Sequence, residues 1–147
     1  MELELLQLDN LTKYFYAFHI STFIIVYILK IPNLLTGADD LIQEYYYDNF
    51  IQSTLLDTIF IFIYLLIGIY IINKLNIKHN LLHKIFIIFT TSFLITFIFY
   101  IIFTNKSKTD LFFSRWFHTV GIKACIYDGI ILSSVYLIYH YLQILIK

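Results

Sequence analysis

Four long apolar runs constrain what this chain can fold into more than any other feature. They cover about residues 14–31, 54–72, 85–103 and 124–146. A helix rising 1.5 Å per residue needs roughly 20 residues to cross about 30 Å of hydrocarbon. The third run contains no charge, and the first is interrupted by His19 and ended by Lys30 and Pro32. Lipid offers the backbone no hydrogen-bond partners, so each run must be helical despite its β-branched residues. None carries the polar face that a soluble bundle turns to water. The expected fold is therefore all-α: an integral membrane four-helix bundle with the lipid bilayer as its solvent. Composition agrees, since 60% of the 147 residues are apolar and only 14% charged. A soluble domain of this size could not hide that much apolar surface.

Other features exclude whole classes of function. Net charge is zero, so no basic field exists to attract nucleic acid. A single cysteine, Cys125, rules out an intrachain disulfide and a multi-cysteine metal centre. Glu2, Glu4 and Asp9 near the start are the opposite of a cationic signal-peptide region. Lysine and arginine divide evenly between the two sides of a four-span topology. The purely basic loop between spans two and three leans toward both termini inside. Abundant Ile, Phe, Tyr, Asn and Lys with scarce Gly and Pro match AT-rich codons, so aromatic counts alone carry little functional weight.

Sliding the chain by 71 residues superposes its halves. Lys13 falls on Lys84, Phe18 on Phe89, Ser21 on Ser92, Asp39 on Asp110 and Asp57 on Asp128. Apolar stripes with helical spacing follow both loop aspartates: Leu41, Ile42, Tyr45 and Tyr46 in one half, Phe112, Phe113, Trp116 and Phe117 in the other. Interfacial helices are expected at about 39–52 and 110–120, with Asp39 and Asp110 as N-caps. Two parallel helix–interfacial-helix–helix repeats would put both interfacial helices, Asp57 and Asp128 at one membrane face.

The candidate functional polar cluster is Asp57, Asp128, Arg115, His118 and Lys123. Acids within spans are costly and are functional candidates by default. The competing reading is that both sit in first helical turns, where free N–H groups and the dipole favour a carboxylate. Arg115, the only arginine, could pair bidentately with Asp57 or Asp128. It could equally be a snorkelling interfacial cation. Acidic residues in the first loop (Asp39, Asp40, Glu44, Asp48) and basic ones in the third (Lys106, Lys108, Arg115, Lys123) would help the halves dock. His79 and His83 have chelating spacing but no further ligand beside them, so no metal site is expected. A hydrogen bond within the bundle is the expected role of His19. Gly68, Gly121 and Gly129 are too few for a small-residue packing face. No catalytic, phosphate-binding or ion-filter motif is present, and no cofactor is expected.

The run Phe112-Phe113-Ser114-Arg115-Trp116-Phe117-His118-Thr119-Val120-Gly121, followed by Tyr127-Asp128, resembles a pattern in multi-pass membrane proteins of large nucleocytoplasmic DNA viruses. The resemblance covers the last quarter of the chain. It implies a viral membrane protein and brings no catalytic residues with it.

Three functions compete. The first expectation is a non-enzymatic scaffold that assembles as a homo- or hetero-oligomer. The second is a small oligomeric ion channel or ion-coupled transporter using Asp57 and Asp128. The third is a membrane enzyme, which would need Asp57, Asp128, His118 and Arg115 to converge.

Overall fold

A computed structural model describes residues 7–77 and 80–146. Seven helices and no strand occur among them, so the expected all-α class is observed, with one short helix beyond the six expected. Helix α1 runs from Leu8 to Ile28, with Phe23–Ile28 wound as a π-helix. Short α2 (Ile31–Thr36) and α3 (Asp39–Gln43) follow, and α3 continues as a π-turn over Glu44–Asp48. The remaining helices are α4 (Phe50–Lys74), α5 (Leu81–Thr104), α6 (Phe112–Val120) and α7 (Lys123–Leu145). Helices α1, α4, α5 and α7 are long and apolar enough to cross a membrane.

The span boundaries differ from the apolar runs in instructive ways. Helix α1 starts at Leu8, before the hydrophobic run, with Leu8, Asp9 and Thr12 exposed at the bundle end. It ends when Lys30 enters the left-handed region (φ 49°) and Pro32 opens α2. Residues 50–52, expected in the first interfacial helix, belong to α4. Neither loop aspartate is an N-cap. Asp39 is the first residue of α3 and accepts from Asn33 Nδ2 at 2.8 Å, while Asp110 lies one residue outside the α6 cap at Leu111.

Helix α7 is the centre of the bundle. It packs on α5 along one side and α1 along another, and contacts α2, α4 and α6. Its buried residues therefore form a face covering more than half of the helix rather than a narrow stripe, among them Ala124, Tyr127, Leu132, Val135 and Tyr136. The two halves pack differently: α5 and α7 are intimate, whereas α1 and α4, their counterparts at the 71-residue spacing, barely touch. Outward rows such as Leu55, Ile59, Ile63 on α4 and Leu94, Ile98, Ile102 on α5 remain exposed. Apolar rows of this length belong against lipid.

Single glycines, rather than a small-residue stripe, set the closest helix approaches. A Cβ on Gly129 would lie 2.6 Å from the Phe89 ring, and one on Gly68 would lie 2.5 Å from Ile88 Cδ1. Both contacts bring α5 against its neighbours. Gly121 has a different task. At φ 63°, ψ −141° it makes the corner between α6 and α7, in a region essentially reserved for glycine.

Close α5–α7 packing makes Gly129→Ala destabilising by about 1–3 kcal/mol through overpacking. The midpoint of thermal unfolding in detergent should fall, and Phe89→Leu in the same chain should recover part of the loss. An unchanged midpoint for Gly129→Ala would contradict the packing described.

Candidate functional site

The chain order α3–α4 and α6–α7 places both short amphipathic elements at the end of the bundle where α4 and α7 begin. Helix α6 carries an apolar face of Phe112, Phe113, Trp116 and Phe117, which turns inward. The π-turn does something an α-helix could not do as easily. Asn49 N–H bonds the Glu44 carbonyl five residues back at 3.0 Å, and the Asn49 side chain reinforces it at 2.9 Å. The widened turn lets consecutive tyrosines serve two different helices. Tyr45 Oη donates to Asp57 Oδ1 on α4 at 2.6 Å, and Tyr46 Oη meets Tyr127 Oη on α7 at 2.7 Å. Tyr27 Oη on α1 in turn donates to the Tyr46 carbonyl at 2.9 Å. π-Turns of this kind recur at functional sites.

Beneath these elements lies a cavity of about 210 Å³. Asp57 and Asp128 both line it. Asp57 is the eighth residue of α4 and Asp128 the sixth of α7, roughly 10 Å and 7.5 Å along their helices. Those depths exceed the first turn, where backbone N–H groups are free, so helix capping does not account for either acid. Each is held instead by a side chain from another element. Asp57 has Tyr45, and Asp128 Oδ2 accepts from Thr96 Oγ1 on α5 at 2.6 Å. The second oxygen of each carboxylate has no protein hydrogen bond among the described residues. Ser92 of α5 also lines the cavity, is fully buried, and its Oγ has no partner among the described residues. Among the described residues, no lysine, arginine or histidine lines the space.

The other members of the expected cluster lie elsewhere. Arg115 pairs with neither aspartate. Its Nη1 and Nη2 donate to the two carboxylate oxygens of Glu44 at 2.7 and 2.5 Å, and its Nε donates to the Asp110 carbonyl at 3.1 Å. The reason is reach. Arg115 lies on the outer side of α6 beside the π-turn, while the aspartates lie below the aromatic layer. The pair does join the acidic and basic loops, as opposite charge would have it. Arg115 also stacks over Phe112, whose ring lies 4.6 Å from Tyr45. The ion pair thus clamps the aromatic cover of the cavity. His118 Nδ1 bonds the Ser114 carbonyl of its own helix, and Lys123 is exposed at the start of α7. Arg115 and His118 are thus not brought together with Asp57 and Asp128. His19 likewise faces outward, bonded to its own helix at Phe15. His79 lies outside the described residues. Among those residues no group of three His, Cys, Asp or Glu could hold a metal ion.

Sequence reasoning missed Tyr45, Tyr46, Ser92 and Thr96. In the sequence Tyr45 and Tyr46 stand only within the apolar stripe that follows Asp39. Their phenol groups were the overlooked signal, since a buried tyrosine needs a partner for its O–H. Burial, and then the neighbouring Asp57, hold the Tyr45 phenol above its ordinary range, so it remains a donor. No protein-family model, curated protein or solved structure matches the chain.

Two outcomes follow from this geometry. Tyr45→Phe removes the donor to a partly buried carboxylate and should cost about 1–3 kcal/mol, read as a lower unfolding midpoint. The Arg115 hydrogen bond holds the Glu44 carboxyl below its ordinary value. A depressed folded-state value means that the clamp stabilises above the unfolded value, about 4.3, and that this is lost as pH falls further, through the folded value. Emission from Trp116, on the clamped helix, should shift in that acid range. In Glu44→Gln that component should be absent.

Proposed function

We propose that this chain is a multi-pass membrane protein of carrier type that binds a cation in the cavity between α4, α5 and α7. One observation carries this reading: two carboxylates from different spans face one cavity that, among the described residues, no basic side chain lines. Uncompensated acids inside a membrane bundle are expensive to keep. A cation would offset that cost by taking the oxygens that the protein leaves open. A scaffold would explain the lipid-facing rows and the clamp at the bundle end, but it leaves the acid-lined cavity without a purpose. Four spans provide one site and a short path, so association of copies would complete a route across the bilayer.

The test is flux in proteoliposomes, using protons, Na+, K+ and small organic ammonium ions in turn. The wild-type chain should move at least one of them faster than protein-free liposomes do. The double variant D57N/D128N should assemble as a monodisperse particle and lose that movement. If the wild-type chain moves none of these cations, or the double variant moves them undiminished, the proposal fails.

A further inference from the structure

The cavity also carries information about which cation it would take. This inference rests on the cation-site reading above and goes further, to the chemical class of the ligand. An inorganic ion sheds its water only where oxygens replace it on most sides. This cavity is walled differently: eleven of its eighteen lining residues are phenylalanine, tyrosine or tryptophan. It is also too large for a bare ion. About 210 Å³ would hold about seven waters at roughly 30 Å³ each, the space of one benzene ring with a short arm. Aromatic faces attract organic cations through the ring quadrupole, and the attraction grows when water is excluded.

The cavity offers acceptors to a group that donates several hydrogen bonds. Asp57 Oδ1 and Asp128 Oδ2 already accept from Tyr45 and Thr96, leaving one oxygen on each carboxylate. Ser92 Oγ is the third open acceptor, on a residue with 0% of its surface exposed. A buried hydroxyl without a partner costs free energy and calls for one. A quaternary ammonium could satisfy none of these acceptors, whereas a primary ammonium has three N–H groups for three acceptors. The most exposed lining residues are Phe60 (37%) and Phe99 (36%). They adjoin the lipid-facing rows of α4 and α5, so the open side of the cavity faces the hydrocarbon.

We propose that the cavity binds a primary ammonium carrying an aryl or short alkyl body, reached from the lipid between Phe60 and Phe99. Its nitrogen bonds Asp57, Asp128 and Ser92, and its apolar body lies among the rings.

Trp116, the only tryptophan of the chain, lines the cavity and is a built-in reporter. The full chain in nanodiscs would be titrated with phenethylammonium chloride while Trp116 emission is read. A saturable change is expected. The neutral analogue 2-phenylethanol should bind roughly tenfold or more weakly, because it lacks the charge and two of the donors. D57N and D128N should each weaken phenethylammonium by a similar factor, and S92A by a smaller one. The comparison of ligands on the wild-type chain stands even if a variant fails to fold. Equal binding of amine and alcohol, or no saturable response to the amine, overturns the proposal. If K+ or Na+ saturates the response and the amine does not, the ligand class is wrong while the cation site survives. If no cation saturates it, both readings fall together.

Discussion

The structure depends on one constraint: a carboxylate inside a membrane bundle must be given its hydrogen bonds by the protein itself. Asp57 and Asp128 lie beyond the turns in which backbone N–H groups are free. Each therefore draws a hydroxyl from another element, Tyr45 from the π-turn and Thr96 from α5. Those two bonds explain why α3 and its π-turn fold back over the bundle end. On α5, Ser92 and Thr96 line the cavity together with Phe99 and Phe103, while Leu94, Ile98 and Ile102 are exposed. Tyr46 extends the same logic, tying α1, the π-turn and α7 through Tyr27 and Tyr127.

The clamp between Glu44 and Arg115 belongs to a different energetic class. Its side chains are about one-third exposed, 30% and 34%. Exposed pairs contribute little individually, although bidentate geometry improves this one. Its importance lies in position. It joins the two interfacial elements whose aromatic residues, Tyr45 and Phe112, stack over the cavity. The hydrogen bonds from Tyr45 and Thr96 set the arrangement of the acids, and the exposed pair holds the cover in register.

Much of the architecture was legible in the residues. Apolar length and the absence of polar faces gave four helices, and the stripes after Asp39 and Asp110 gave the short amphipathic ones. Asp57 and Asp128 stood out because an acid within a span is rare. Their exact partners were not legible, for a physical reason. A hydroxyl partner leaves no pattern at fixed spacing, and Tyr45, Thr96 and Ser92 look like ordinary belt or core residues until three helices meet. Charge complementarity suggested an arginine–aspartate pair. It could not reveal that the aromatic layer of α6 separates Arg115 from the aspartates and leaves Glu44 as the carboxylate within reach. Helix packing was hidden similarly, because the close approach at Gly129 depends on Phe89 in another helix rather than on neighbouring glycines.

The central claim is that Asp57 and Asp128 share one cavity and together receive a cation. Modification by a hydrophobic carbodiimide, with the labelled carboxyls located by mass spectrometry, tests it most directly. Both aspartates should be labelled in the bilayer, and saturating phenethylammonium should slow labelling at both sites together. Labelling at either aspartate that proceeds at the same rate with and without the ammonium would contradict the account.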